Sequence, residues 1–214
     1  FFSLSSGLAI GIGVIVAQFF GAKDYEYVRK TIANSFYVLI SAAITVSVLG
    51  LVFAPVILRL LSTPADIIDM SVTYMRTTCL GIIFVALYNG VAAILRALGD
   101  SRTPLYFLIL SSVVNVVLDL VFVLYFSWGV FGVALATIIA QMASAVACLV
   151  YAFVKIPYFK MSKEQRMPKA DIIAQSFKLG VPIALQNAMI AVSSMALQGV
   201  VNGLGTTVMA SYTI

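Results

Sequence analysis

Long apolar runs alternate with short polar turns along the chain, and most runs reach the ~18 residues that cross a bilayer as a helix. The pattern predicts an opening apolar run over 1–20, then five spans at about 31–60, 65–98, 103–126, 129–154 and 179–201. A further helix is expected to start after the VNGLG gap at 201–205. Thr63, Pro64 and Asp66 form a helix start: a capping hydroxyl, a proline at the first helical position and an acid at the positive helix end. Gly99 stops the 65–98 span, Thr103 and Pro104 cap and open the next, and Ser127-Trp128-Gly129 makes a tight turn. Pro55 lies near the end of its span, where a lost backbone hydrogen bond is easiest to accommodate. At 1.5 Å per residue the 65–98 span is ~51 Å long, so it must tilt or project beyond the hydrocarbon. An amphipathic segment, 169–178, leads into the last span, whose helix is expected to break early at Gly180 and Pro182. Gly7, Gly11 and Gly13 suit close helix approach rather than ligand chemistry.

Composition turns these runs into membrane spans. The 62% hydrophobic content and mean hydropathy of +1.09 exceed soluble usage, which is about 45 to 50% apolar. The fold class is therefore an all-α, polytopic transmembrane helix bundle in a lipid bilayer. Lys23, Arg29 and Lys30 lie in the first loop, Arg96 and Arg102 in the third, and Lys155, Lys160, Lys163, Arg166 and Lys169 in the fifth. The second loop has only Arg59 at its edge. By the positive-inside rule the loops near 22–30, 96–103 and 155–170 face the cytoplasm of a multi-pass cell (inner) membrane protein. The net charge of +5 reflects that orientation, and no aromatic-interleaved basic patch points to nucleic acid. Arg76 reads as a snorkelling residue at the outer end of its helix. Cys79 and Cys148 lack metal or redox spacing and read as small packing residues. With no His, no Cys pair and no phosphate loop, the chain is not expected to be an enzyme. No signal-peptide pattern precedes the first run, and the Phe1 start and the apolar context of Ile214 read as a fragment.

One residue breaks the pattern. Asp24, Glu26, Asp66, Asp69, Asp100, Glu164 and Asp171 sit in or beside polar connections, which leaves Asp119 alone inside an apolar run. An isolated charge there costs at least ~2.5 kcal/mol on insertion scales, so it reads as functional. Asp119 lies seven residues before Phe126, ~10 Å from the outer end of its helix. Ser112 and Asn115 precede it at helical spacing and form a polar stripe with it. Across the tight turn, Thr137 reaches a similar depth on the next span, with Gln141 and Ser144 continuing along its face. Gly129, Gly132, Ala134, Ala136 and Ala140 keep that helix slim. Converging carboxylate, carboxamide and hydroxyl oxygens suit a small hard cation, or a carboxyl that exchanges protons as its site hydrates. The alternative is a neutral Asp119 that bonds Asn115 or Thr137 as interhelical glue, with Thr137 bonding its own helix.

Five stretches, VIVAQFFGAKD, ILRALGDSRTPLYF, NVVLD, WGVFGVALAT and LGVPIAL, together and in this order resemble the multidrug and toxic compound extrusion (MATE) family. The resemblance runs through essentially the whole chain, from the second half of the family's second span to the start of its eighth. It implies a transporter of two six-helix lobes that exports organic cations and drugs in exchange for H+ or Na+. Residues 1–155 would be the first lobe, incomplete at its start, 156–172 the cytoplasmic interlobe connector, and 173–214 the beginning of the second lobe. The family's N-x-x-x-D pair and its sixth-span Thr match Asn115, Asp119 and Thr137, and its first-span Asp has no counterpart here. In place of the seventh-span Glu of another branch stand Gln186 and Asn187.

The residues also outline a substrate route. Asn187, Ser194 and Gln198 share a helical face, Gln186 lies beside them, and Pro182 with Gly180 forms a hinge for alternating access. Nothing in the pattern selects Tyr37, Met75, Tyr88 or Met142 over core residues as the lining of a drug cavity. The implied partners are small organic substrates and the bilayer, the full-length protein is expected to be a monomer, and no cofactor is expected besides the coupling ion. A lipid-linked oligosaccharide or polysaccharide flippase is the alternative function, and a non-transporting membrane scaffold a third reading.

Overall fold

The computed structural model describes residues 2–60 and 67–203, with backbone alone for 2–4, 195 and 198–203. Every element among them is helical: α1 Phe2–Gly21, α2 Tyr25–Leu60, α3 Ile68–Leu80, α4 Ile82–Ala97, α5 Arg102–Leu120, α6 Gly129–Lys155 and α7 Ala170–Gly203. A π turn, Val121–Tyr125, prolongs α5, and a 3-10 turn, Pro157–Phe159, follows α6. α2, α5 with its π turn, and α6 are each long and apolar enough to cross a membrane, and α3 with α4 makes a fourth such unit. α1 is a shorter apolar helix, and α7 is not among the spanning helices by its described residues. The expected helix starts at Thr63, Pro64 and Asp66 and after 205 lie outside the described residues.

α1 packs on α7, α4 and α2, and its Leu8, Ile12 and Val16 are wholly buried in one cluster with Ile32, Ile94 and Leu95. Glycine sets the approach to α7. A Cβ on Gly11 would stand 2.7 Å from the Gly180 nitrogen, and one on Gly180 would stand 2.8 Å from the Leu8 Cα. The backbones therefore touch where any side chain would separate them.

The sequence pattern and the structure part company at the middle of the 65–98 span and along α7. The 65–98 span is not one straight helix, because α3 and α4 meet at a bend of 43° at Gly81. The Gly81 N–H bonds the Thr78 carbonyl at 3.0 Å, tightening the turn, and the Thr78 hydroxyl bonds back to Tyr74 O at 2.7 Å. Ser47 of α2 donates to the Cys79 carbonyl at 2.8 Å, satisfying a group at the end of α3. Conversely, α7 runs unbroken from the amphipathic segment through Gly180 and Pro182 into the VNGLG stretch, so the expected breaks are absent. Lacking a Cβ, Gly180 lets α1 approach there rather than ending the helix.

Two corners repeat one device. At the first, Lys23 takes φ 60, the Asp24 N–H reaches back to Phe19 O at 3.0 Å, and Asp24 Oδ1 accepts the Tyr27 N–H at 3.0 Å. At the second, Gly99 takes φ 95, the Asp100 N–H reaches Leu95 O at 2.9 Å, and Asp100 Oδ1 accepts the Thr103 N–H at 3.0 Å. One aspartate thus closes one helix and opens the next. The side chain that accepts an N–H of the first turn of α5 is that of Asp100, one residue ahead of the N-cap Ser101, and Thr103 does not cap as its position beside Pro104 suggests.

Candidate functional site

The helices α5 and α6 run antiparallel from the Trp128 corner, and a series of polar rungs joins them. Ser144 donates to the Phe107 carbonyl at 3.3 Å, Ser111 to the Ala140 carbonyl at 3.0 Å, and Asn115 Nδ2 to Thr137 Oγ1 at 3.4 Å. The rungs recur every turn because Phe107, Ser111 and Asn115 are spaced by four on α5. Small buried residues on α6, Gly132, Ala136, Ala140 and Ser144, bring the backbones within reach.

Asp119 occupies the next position along this row, and there the pairing stops. The residue is half-buried, yet its Oδ1 is shielded from solvent and has no hydrogen-bond partner among the described residues. The hydroxyl of Thr137 already donates to Val133 O at 3.0 Å, as Thr commonly does within a helix. The glue between the helices is accordingly supplied by Asn115, Ser111 and Ser144 rather than by Asp119 Oδ1.

Beyond Asp119 the backbone changes. The π turn Val121–Tyr125 carries the Phe126 N–H to Val121 O at 3.2 Å and is sealed by the rings of Phe122, Phe126 and Trp128. Single π turns are frequent at functional sites. Nothing in the apolar string VFVLY signals it.

The structure redistributes other expected polar residues. Ser112 is exposed and bonds back to Leu108 O at 3.1 Å, so its neighbour Ser111 takes the place expected of it. Gln141 lines a cavity of about 180 Å3 with Thr137, Thr78 and Gly81 at the α3–α4 bend, not the α5 side of α6. Gln186 is exposed in a groove along α7 with Pro182, Met189 and Ser194, while Asn187 is half-buried and outside that groove. The side chain of Gln198 lies outside the described residues. Tyr37, Tyr88 and Met142 are dispersed: Tyr37 donates to Arg166 O at 3.0 Å, Tyr88 is buried and donates to Pro104 O at 2.7 Å, and Met142 is exposed. Met75 lines an apolar cavity of about 600 Å3 between α2, α3 and the start of α6, with Leu58, Met70, Tyr74 and Cys79. Arg76 is exposed and donates from Nε to Leu51 O at 3.3 Å.

Comparison with known proteins gives this arrangement a setting. The family model MatE matches residues 1–121. The chain is 36% identical over 200 residues to the probable multidrug resistance protein YpnP of Bacillus subtilis (strain 168), covering 92% of this chain and 44% of that protein. To the multidrug export protein MepA of Staphylococcus aureus (strain MRSA252) it is 24% identical over 211 residues, covering 99% and 47%. The chain thus spans about half the length of the curated relatives it matches. A crystal structure of MATE in the bent conformation aligns with a TM-score of 0.88 at 23% identity, over 99% of this chain and 48% of that one. An outward-facing multidrug resistance MATE family transporter of the MOP superfamily aligns with a TM-score of 0.85 at 23% identity, over 93% and 44%.

Proposed function

The chain belongs to the MATE family of multi-pass membrane transporters, and from that premise we propose that it serves in cation-coupled efflux of small organic molecules. Residues 1–155 form the first lobe, 156–172 the interlobe connector, and 173–214 the beginning of the second lobe. The loops near 22–30, 96–103 and 155–170 face the cytoplasm of the cell membrane. The observation that carries the reading is the buried Asp119 Oδ1, unpartnered among the described residues, at the end of the α5–α6 rungs. An oxygen so placed stays unsatisfied until a proton or a metal cation arrives.

Among the described residues no cluster of three His, Cys, Asp or Glu occurs, and Asp119 is the full charge that the α5–α6 rungs offer an ion. H+ neutralises it directly. Na+ would use the same carboxylate together with neutral oxygens, for which Asn115 Oδ1 and Thr137 Oγ1 of the adjoining rung are the candidates. Binding would neutralise a charge within the membrane and so bias the two conformations of an exporter. Gln186 and Asn187 on α7 are proposed to face the substrate route. Gly180 and Pro182 remain the proposed hinge, opening in a conformation other than this one, in which the helix is unbroken. The names of the similar proteins, multidrug resistance and multidrug export, favour the exporter over a lipid-linked sugar flippase.

The test is Asp119→Asn in the intact transporter, reconstituted in liposomes with an imposed proton or sodium gradient. Gradient-driven drug movement is expected to fall to background while the variant remains folded by thermal unfolding. Full coupled transport by that variant sinks the assignment.

A further inference from the structure

The segment joining α6 to α7 is fastened down rather than free. Phe159 is 1% exposed, with its ring centroid 5.5 Å from that of Phe153 of α6 and 6.4 Å from that of Phe36 of α2. Asn34 of α2, itself fully buried, accepts the Lys169 N–H on Oδ1 at 2.8 Å and donates from Nδ2 to Met167 O at 3.4 Å. Tyr37, one turn further along α2, donates to Arg166 O at 3.0 Å. Both ends of the segment are thereby pinned to the same face of the bundle.

What this strap presents is charge beside apolar surface. Residues 155–169 hold five cations and one acid, Glu164. The sole ion pair among the described residues, Lys30–Glu26, lies elsewhere on this end. Lys155, Lys160, Lys163 and Arg166 are all exposed. Next to them Val154, Met167, Tyr37 and Phe153 are 62%, 63%, 48% and 43% exposed. The backbones of α2 and α6 stay apart, and the rings of Phe36, Phe153 and Phe159 bridge them. Exposed apolar residues continue along both helices away from the strap, Ile44 and Val48 on α2, Val146 and Val150 on α6. The uncharged part of α2 begins at Thr31, so Tyr37 and Arg166 lie about two turns inside it, at the depth where aromatic residues meet headgroups.

We infer that the 155–169 strap is a binding surface for anionic phospholipid, its cations on the phosphate and the exposed apolar faces of α2 and α6 below it against an acyl chain. A soluble anion would explain the lysines and Arg166 but not the exposed apolar row that continues from them. Pinning matters because cations held in one place bind a headgroup without the ordering cost of a free loop. The strap's placement in the cytoplasmic leaflet rests on the sidedness proposed above.

The test uses the intact protein, purified and titrated with phosphatidylglycerol, phosphatidylcholine or inorganic phosphate, with native mass spectrometry and thermal unfolding as readouts. Phosphatidylglycerol is expected to be retained and to raise the melting temperature in a salt-sensitive way, where phosphatidylcholine and phosphate do neither. Lys155→Gln, Lys160→Gln, Lys163→Gln and Arg166→Gln are surface changes, and each is expected to weaken phosphatidylglycerol binding about fivefold. The proposal is overturned if the quadruple variant binds phosphatidylglycerol as the parent does, if phosphatidylcholine binds equally, or if inorganic phosphate competes it away. Labelling a Lys163→Cys variant in sealed, right-side-out vesicles checks the leaflet separately. Reaction with an impermeant reagent there overturns the cytoplasmic assignment, and protection supports it. None of these outcomes touches the Asp119 transport assay, so the two readings fail independently.

Discussion

Asn115 and Thr137 share a hydrogen bond whose direction is fixed by its surroundings. The Thr137 hydroxyl has one proton, and it goes to Val133 O at 3.0 Å, so Asn115 must be the donor across the 3.4 Å rung. The amide oxygen of Asn115 is then the atom left over for an ion, and the Thr137 hydroxyl has no proton to give the Asp119 carboxylate. Replacing Thr137 by Val removes the acceptor at nearly constant shape and strands the Asn115 amide. Under the coupling proposed above, ion affinity is expected to fall about 2- to 13-fold, the worth of one hydrogen bond of ~0.5 to 1.5 kcal/mol, while Thr137→Ser stays near the parent. Ion-dependent drug transport measured against pH and against sodium concentration checks this, and equal behaviour of the Val and Ser variants would count against the rung.

The contact between Gly11 and Gly180 separates helix propensity from packing. Alanine favours a helix over glycine by roughly 0.8 to 1 kcal/mol, so both substitutions ought to stabilise if the residues were merely helical. Their Cβ atoms, however, would meet backbone at 2.7 and 2.8 Å, which no side-chain rotation relieves. Gly180→Ala is therefore expected to cost about 1 to 3 kcal/mol through forced separation of α1 from α7. Gly21→Ala, with nothing within 4 Å of its Cβ, is the control and should be neutral or mildly stabilising. Thermal unfolding in one detergent distinguishes them; a stabilised Gly180→Ala protein would refute the tight packing.

Much of this arrangement can be read from the chain, and what cannot be read has local causes. The spans, their polar corners and the isolation of Asp119 follow from hydropathy and spacing, since a carboxylate in an apolar run is conspicuous without neighbours. Ser111 and Ser112 show the limit: two adjacent serines lie ~100° apart on a helix, and only the Ala140 carbonyl on α6 selects Ser111. The bend at Gly81 was equally hidden, because TTCLGII is apolar enough to continue a helix and the stabilising hydroxyl, Ser47, comes from α2. Gly180 and Pro182 carry the opposite ambiguity, since a glycine needed for helix contact is the same residue as one that ends a helix.

Gly81 gives a test of the bend through a pair of residues. A Cβ there would lie 2.8 Å from Ile138 Cγ1 on α6, at the cavity that Thr137 and Gln141 also line. Gly81→Ala is expected to destabilise by about 1 to 3 kcal/mol from overpacking. Trimming the partner with Ile138→Ala removes the obstructing atom, so the double variant should be less destabilised than the sum of the two single changes. A double-mutant cycle of unfolding free energies supplies the number, with coupling of about 0.5 to 3 kcal/mol expected for residues in contact. Strict additivity would mean that α4 and α6 do not meet at this bend.

Asp100 ties the α4–α5 corner to pH. Burial raises its pKa, but hydrogen bonds from the Thr103 side chain and N–H and from Tyr151 Oη outweigh that, leaving a net lowering from the usual 3.8. The folded state therefore holds its proton less tightly than the unfolded chain does. The sign follows: the stability supplied by the carboxylate is complete above about pH 4 and lost as pH falls through the lower, folded value. Asp100→Asn keeps an oxygen for the Thr103 N–H but cannot titrate. The parent is expected to melt higher than this variant at pH 7 and to converge on it toward pH 3, as melting curves across that range would reveal. Parallel curves at every pH would show that the corner is held by the shape of the side chain and not by its charge.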